Sequence, residues 1–178
     1  MTRPIAIGSD EAGFHLKEEL KRFLETAGYE VTDYGCHSTD PVDYPDVAVE
    51  VATEVAAGRH ERAILICGTG IGMAIAANKV PGVYAANAHD PYSAARARMS
   101  NNAQVLSLGA RVVGTELAKT LVEVWLKAEF AGGGSLRKVQ KIQAAERRGP
   151  ALSGTSAGSA STHPAVPQRT ASRKERAK

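Results

Sequence analysis

Short apolar runs alternate with longer amphipathic segments along most of the chain. The apolar runs cover residues 5–8, 29–34, 63–67, 83–88 and 104–108, and each ends near glycine, serine, aspartate or histidine. Segments with a helical period lie between and after them, at residues 14–27, 46–57, 71–79, 92–101, 116–128 and 136–147. Strands and helices that alternate in this way predict a parallel sheet with helices on both faces. We therefore expect an α/β fold, a three-layer α/β/α sandwich with a five-stranded parallel sheet.

Composition is that of an ordinary globular protein. The 178 residues suit one domain, hydrophobic residues make up 43%, and no apolar run is long enough to span a membrane. The apolar stretch of residues 5–8 is too short for a signal peptide, so we expect a cytoplasmic protein. The two cysteines, Cys36 and Cys67, could form one disulfide by number alone, but free thiols are expected in a reducing compartment.

The positive charge is concentrated at the C-terminal end of the chain. The net charge is +3, yet residues 149–178 carry five basic side chains and one acidic one, so the remaining residues have a net charge of −1. A nucleic-acid-binding domain carries its basic charge on a folded face, so neither nucleic acid nor membrane is an expected partner. The tail is rich in small and polar residues and predicts disorder. The expected division is a folded domain at 1–148 and a basic tail at 149–178.

Polar and reactive residues follow the carboxyl ends of the predicted strands, where ligands bind in open α/β sheets. The strand ends lead into the segments 9–13, 35–37, 67–70, 89–91 and 109–111. The five histidines show no spacing typical of a metal site, so no metal is expected. We expect the functional pocket at this edge of the sheet.

The glycine-rich loop at residues 67–72, Cys-Gly-Thr-Gly-Ile-Gly, is the most informative segment. Glycines allow the backbone to approach a ligand closely, and the start of the following helix offers free amides and the positive end of the helix dipole. Such surroundings raise the thiolate fraction of a cysteine, here Cys67.

Three interpretations of this loop remain open on pattern alone. The first is a dinucleotide site, for which Asp90 stands where an acidic residue would be sought, although the glycine spacing is wrong and the loop follows the third strand. The second is a buried structural cysteine in a tight turn. The third is catalysis by Cys67.

Several further motifs accompany the loop in a fixed order. They are Asp10 within residues 8–14, Asp43-Tyr44-Pro45, residues 76–79, Asn101-Asn102 and Gly109-Ala110-Arg111. Over about residues 3–147 the sequence resembles the ribose-5-phosphate isomerase B and galactose-6-phosphate isomerase family. The resemblance implies a Rossmann-like fold and aldose–ketose isomerisation of a small phosphorylated sugar through an enediolate, with no cofactor. It also implies a homodimer or dimer of dimers whose active sites lie between subunits.

The resemblance implies roles for the residues nearest the reacting carbons. Cys67 would be the base that moves a proton between C1 and C2, and Thr69 would place its hydroxyl beside this base. Asn101 would hold the negative oxygen of the intermediate together with the backbone amides of the loop residues Gly68, Gly70, Ile71 and Gly72.

The resemblance also implies residues that bind the substrate. Asp10 would bind sugar hydroxyls and Tyr44 would line the pocket. Arg111, Arg137 and Lys138 would be candidates for the phosphate. The less favoured structural alternatives are that Asp10 caps a helix, that Tyr44 is core, and that Arg137 or Lys138 lies on a solvated helix face.

Three positions depart from the family pattern. Glu11, still a candidate for binding substrate, replaces a usual histidine, as in some galactose-6-phosphate members. Ser100 replaces a histidine that helps to open the furanose ring of ribose 5-phosphate, and Gly134 replaces a common arginine. His89, at a neighbouring strand end, is the alternative catalytic group that would supply the missing imidazole.

Ser100 bears directly on the identity of the substrate. Interconversion of ribose 5-phosphate and ribulose 5-phosphate is the default expectation. Erythrose 4-phosphate has its C4 oxygen esterified and forms no furanose, so an isomerase that converts it to erythrulose 4-phosphate needs no ring-opening histidine. A hexose 6-phosphate is a further alternative. A nucleotide-binding module without isomerase activity is the alternative of a different class, and it would not depend on Cys67.

Overall fold

The computed structural model describes residues 3–148, and their backbone forms five strands and six helices. The strands are β1 (Ile5–Ser9), β2 (Val31–Asp33), β3 (Ala63–Cys67), β4 (Ala85–Asn87) and β5 (Val105–Gly109). The helices are α1 (Phe14–Thr26), α2 (Tyr44–Ala56), α3 (Ile71–Ala77), α4 (Pro91–Asn101), α5 (Thr115–Lys127) and α6 (Gly133–Arg148). The predicted tail, residues 149–178, lies outside the described residues.

The strands form one sheet in the order β2-β1-β3-β5-β4, and every neighbouring pair is parallel. Alternate side chains of β3 face two separate cores. Ile64 and Ile66 pack in the core that contains α1, α4 and α5, whereas Leu65 and Cys67 pack in the core that contains α2 and α3. The predicted three-layer α/β/α sandwich is therefore confirmed.

The predicted elements differ from the observed ones mainly at the edges of the sheet. β2 and β4 have three residues each, fewer than the apolar runs suggested, and both pair with only one neighbour. An edge strand is held by one ladder of hydrogen bonds, so its pairing ends sooner than that of a central strand. α2 begins at Tyr44, two residues before the predicted start, with Pro45 in its first turn, where a proline fits without losing a bond.

A buried arginine ties the amino edge of the sheet to the end of α5. Arg62, directly before β3, donates to the carbonyls of Trp125 and Ala128 at 3.0 Å each. Burial, with the neighbouring charge of Arg98, lowers the pKa of Arg62 from its ordinary value. Within residues 3–148, no helix has both the length and the apolar character needed to cross a bilayer.

Candidate active site

Cys67 ends the central strand β3 and points into the start of the glycine-rich loop. The thiol is 5% exposed, and both thiols in the described residues are free. The backbone turns sharply at Gly70, which has φ +77°, and its amide donates a hydrogen bond to Cys67 Sγ at 3.1 Å. A backbone donor of this kind binds a thiolate more strongly than a thiol. The exposed hydroxyl of Thr69 accepts from the amide of Ile71 at 3.3 Å.

At two loop glycines, the space next to the Cα is taken up by side chains that the sequence analysis named as candidate site residues. A Cβ at Gly72 would lie 2.6 Å from the ring of Tyr44, so that ring packs directly on the loop. A Cβ at Gly68 would lie 3.5 Å from Nε of Arg111. The structure therefore brings Tyr44 and the Arg111 guanidinium to opposite ends of the loop that begins at Cys67.

Asp10 lies in the turn that follows β1, beside the end of β3. Its amide donates to the carbonyl of Ile66 at 3.2 Å, and its carboxylate accepts from the amide of Gly13 at 2.9 Å. Burial raises the pKa of Asp10 above its ordinary value, against the opposing effect of the Gly13 amide. The neighbouring Glu11 accepts from the amide of Val42 at 3.3 Å, which ties its carboxylate to the loop before α2.

Asp33 fixes the loop that follows β2. One carboxylate oxygen accepts from the amide of Gly35 at 2.9 Å, and the other accepts from Lys17 at 2.6 Å and Lys21 at 3.0 Å. Lys17 is fully buried. Burial opposes ionisation of this carboxyl, but the contacts to Lys17, Gly35 and Lys21 outweigh it and lower the pKa of Asp33. The next loop residue, Cys36, hydrogen-bonds through its amide to Ser9 beside Asp10.

The end of β4 supplies backbone contacts rather than a free reactive group. His89 Nε2 accepts a hydrogen bond from the amide of Gly109 at 3.1 Å. Asp90 is the N-cap of α4, where its carboxylate accepts from the amide of Ser93 at 2.8 Å. The acidic residue that a dinucleotide site would require is therefore already used to cap a helix.

All four carbonyl oxygens of residues 67–70 accept hydrogen bonds from β4, from β5 or from the segment that follows β5. In order along the loop, the donors are Ala110 N at 2.8 Å, Arg111 N at 3.0 Å, Asn87 Nδ2 at 3.3 Å and Ser107 Oγ at 2.6 Å. Sequence reasoning missed Asn87 and Ser107. A polar residue inside each of two otherwise apolar strands was the available signal.

The remaining predicted site residues lie at the opposite edge of the sheet. α4 leaves the carboxyl edge at Pro91 and ends at Asn101; its 11 residues span a length of about 16 Å. Ser100 Oγ is buried and has no hydrogen-bond partner among residues 3–148. α6 carries the exposed Arg137 and Lys138, and the segment before it is tied to the end of α4 by the Ala131 amide, which donates to Met99 at 3.0 Å. One chain therefore does not bring these residues to Cys67.

Exposed apolar side chains lie on α3 and shortly after the ends of β4 and β5, at the same edge of the sheet as the loop. Ile71 is 54% exposed, Ile75 57%, Tyr92 76% and Val112 54%. Within the part of the chain that the structure describes, no three His, Cys, Asp or Glu side chains group in a way that could hold a metal ion.

Comparison with known proteins identifies the family. The family of ribose/galactose isomerases matches residues 5–142. The D-erythrulose-4-phosphate isomerase of Pectobacterium atrosepticum is 56% identical over 140 residues, which are 78% of this chain and 91% of that protein. The ribose-5-phosphate isomerase B of Escherichia coli is 47% identical over 146 residues, 82% of this chain and 98% of that protein. The structure of Clostridium thermocellum ribose-5-phosphate isomerase B superposes with a TM-score of 0.80 at 50% identity, covering 82% of this chain and 98% of the other. The chain belongs to the ribose/galactose isomerase family.

Proposed function

We propose that this chain is an aldose–ketose isomerase of phosphorylated sugars in which Cys67 is the catalytic base. The observation that carries the proposal is the position of the thiol. Cys67 Sγ lies at the carboxyl end of the central strand and accepts a hydrogen bond from the Gly70 amide at 3.1 Å. Asp10, Tyr44 and Arg111 lie around the same strand end.

The chemistry is a proton transfer between adjacent carbons. The Cys67 thiolate removes the proton from C2 of the open-chain aldose, and the electron pair moves into the C1–C2 bond while the C1 carbonyl oxygen becomes negative. The C2 hydroxyl proton then moves to that oxygen, and the Cys67 thiol returns its proton to C1 to give the ketose. A base positioned in this way typically contributes about 10²–10⁴-fold to the rate.

The loop supplies donors for the charge that develops on oxygen. The loop carbonyls accept hydrogen bonds from the strand ends and from the segment after β5. The carbonyl and the amide of one peptide point in opposite directions. The amides of Gly68 and Thr69 therefore point away from that segment and serve as the proposed donors. Fixed donors of this type are worth about 3 kcal/mol each in the transition state. Asp10 binds sugar hydroxyls, and Arg111 contributes to the phosphate site.

The active site is shared between two subunits in a homodimer. Support comes from the distribution of the predicted residues, because Asn101, Arg137 and Lys138 lie at the end of α4 and on α6, away from Cys67. The exposed Ile71 and Tyr92 beside the loop provide an apolar surface for a second copy. In a dimer with a two-fold axis, the end of α4 and α6 of each chain lie over the carboxyl edge of the sheet of the other chain, so two equivalent sites form.

Ribose 5-phosphate is the first substrate to test, as the names of the E. coli and C. thermocellum relatives indicate. A tetrose phosphate is the second candidate, and three observations favour it. Ser100 offers no imidazole, and His89 Nε2 is already bonded to the Gly109 amide at 3.1 Å. The relative from Pectobacterium atrosepticum is named for erythrulose 4-phosphate.

The experiment is turnover of ribose 5-phosphate and erythrose 4-phosphate by the native protein and by Cys67→Ala. Cys36→Ala is the matched control, because Cys36 is an equally buried free thiol at the same edge of the sheet, in the loop that follows β2. The expected result is loss of turnover in Cys67→Ala and near-native turnover in Cys36→Ala. A nucleotide-binding module would show no turnover of either sugar and no dependence of nucleotide affinity on Cys67.

A further inference from the structure

Ser107 is a fully buried hydroxyl in the middle of an apolar strand. β5 reads Val-Leu-Ser-Leu-Gly, and Ser107 is 0% exposed. It pairs in register with Leu65 of β3, whose side chain lies in the core beneath α2 and α3. A buried hydroxyl is costly without a partner. Its Oγ donates to the carbonyl of Gly70 at 2.6 Å.

The Gly70 carbonyl does not need this second donor. It already accepts from the amide of Ala74 at 3.1 Å, the first helical hydrogen bond of α3. A carbonyl oxygen has two lone pairs, so the bond from Ser107 adds a constraint on Gly70 to the one that the helix supplies.

Asn87 supplies a companion constraint. It is the direct register partner of Ser107 between β4 and β5, so the two side chains share a face of the sheet. Its Nδ2 donates to the Thr69 carbonyl at 3.3 Å. The Thr69 and Gly70 carbonyls belong to the two peptide planes on either side of the Gly70 Cα. Holding both planes restricts φ and ψ at a residue that has no Cβ to restrict them.

We propose that Ser107, together with Asn87, is a positioning residue for the isomerase reaction. Asn87 holds the peptide that carries the Gly70 amide, Ser107 holds the peptide that follows it, and the two bonds together keep the Gly70 amide on Cys67 Sγ. The proposal rests on the proposed function of Cys67 as the base. Loss of the Ser107 bond leaves the Gly70 carbonyl held by the Ala74 amide alone. The Gly70 backbone is then less constrained, and its amide is a weaker donor to the charged form of the thiol.

The test compares Ser107→Ala with the native protein by two readouts. The first is the rate at which iodoacetamide alkylates Cys67 at pH 7, followed on the Cys67 peptide by mass spectrometry. The second is the split between kcat and KM. We expect slower alkylation and a kcat about tenfold lower, the factor that corresponds to one buried hydrogen bond. KM should change by less than about twofold, because substrate contacts remain.

The direction of the alkylation change separates positioning from simple loosening. Cys67 is 5% exposed, so a loosened loop would admit iodoacetamide and speed alkylation. Leu106→Val is the matched control, since Leu106 is equally buried on the same strand but packs in the other core. Leu106→Val should leave the alkylation rate and kcat near their native values. Ser107→Thr keeps the hydroxyl and should also give near-native values, unlike Ser107→Ala.

Asn87→Ala keeps the test decisive if Ser107→Ala does not fold, because Asn87 is exposed on an edge strand. It should also slow alkylation and lower kcat. The proposal is overturned if alkylation in the serine or asparagine variant is unchanged or faster, or if Leu106→Val slows it equally. Alkylation requires no turnover. A native protein inactive on pentose, tetrose and hexose phosphates would therefore contradict the proposed function, while the alkylation result still reported on positioning.

Discussion

The amide nitrogen of Gly70 lies 3.1 Å from the sulfur of Cys67, and the two residues belong to one turn. Gly70 adopts φ +77°, a conformation that L side chains rarely tolerate. The space around it is also full, because a Cβ there would lie 2.7 Å from Asn87 Oδ1 and 2.9 Å from the Leu108 carbonyl carbon. The contact between amide and thiol therefore depends on a glycine at this position.

Gly70→Ala should remove activity by displacing the loop, because neither the backbone angle nor the space admits a methyl group. We expect kcat to fall by at least about a hundredfold, in the range of losing a positioned base. Gly28→Ala is the control, since Gly28 has φ +87° and an open Cβ position. Both variants should lose about 1 kcal/mol or more of stability from the strained angle. Equal activity in the two variants would contradict the importance of the turn.

Hybrid dimers should regain activity that neither parent has. A Cys67→Ala subunit paired with an Asn101→Ala subunit restores one fully native site if each site takes Cys67 from one chain and Asn101 from the other. Random pairing of the two inactive variants should then recover about a quarter of the native rate. Turnover of the mixture no greater than the average of the two variants would show that each site is built within one chain.

Asp33→Asn should destabilise the protein strongly, because the fully buried Lys17 loses its closest carboxylate. Lys17 keeps a second carboxylate, that of Glu18 at 2.7 Å, so we expect the free energy of unfolding at pH 7 to fall by about 2 kcal/mol, the range of a hydrogen bond to a charged group. Glu123→Gln, which breaks an exposed pair with Lys127, is the control and should cost under about 0.5 kcal/mol.

The effect of Asp33 should depend on pH with a defined sign. The pKa of Asp33 is lower in the folded chain than its ordinary value. Its stabilising contribution is therefore complete above the unfolded pKa of about 3.9 and is lost as the pH falls through the folded pKa. The difference between native and Asp33→Asn, measured by urea unfolding, should shrink below about pH 4. A difference that stays constant from neutral to acidic pH would argue against the ion pair as its source.

Ser100→His should shift preference toward the pentose phosphate. An imidazole at this position supplies an acid–base group for opening the furanose, so kcat/KM for ribose 5-phosphate should rise by about tenfold or more relative to erythrose 4-phosphate. Ser100→Gln, of similar size but without a titratable group, should leave the ratio unchanged. Equal ratios in the native protein and the histidine variant would mean that ring opening does not limit the reaction.

The order of strands and helices along the chain was predictable because the central strands are buried on both faces and consist mainly of apolar residues, as Ala63–Cys67 does. The ends of β2 and β4 were not predictable, since the length of an edge strand depends on pairing with its single neighbour. Cys67 and its glycines were identifiable because they are contiguous in sequence.

The side chains that hydrogen-bond to the loop carbonyls were not predictable in the same way. Ser107 reaches the loop through the pairing of β5 with β3, and Asn87 reaches it through the pairing of β4 with β5. Both pairings join segments that are distant in sequence. Nor does a local pattern reveal that α4 carries Ser100 and Asn101 away from Cys67, because that separation follows from the direction in which the helix crosses the sheet.

The most direct test of Cys67 as the base follows the transferred proton in deuterium oxide. Whichever of ribose 5-phosphate and erythrose 4-phosphate the native protein converts should be incubated with native, Cys67→Ala and Cys36→Ala protein. Deuterium at C1 of the ketose is then measured by NMR. The Cys67 S–H formed by the transfer can exchange with solvent before its proton returns to C1. We therefore expect partial incorporation by the native protein and by Cys36→Ala, and neither turnover nor exchange by Cys67→Ala. Turnover with incorporation at the native level by Cys67→Ala would rule out Cys67 as the base.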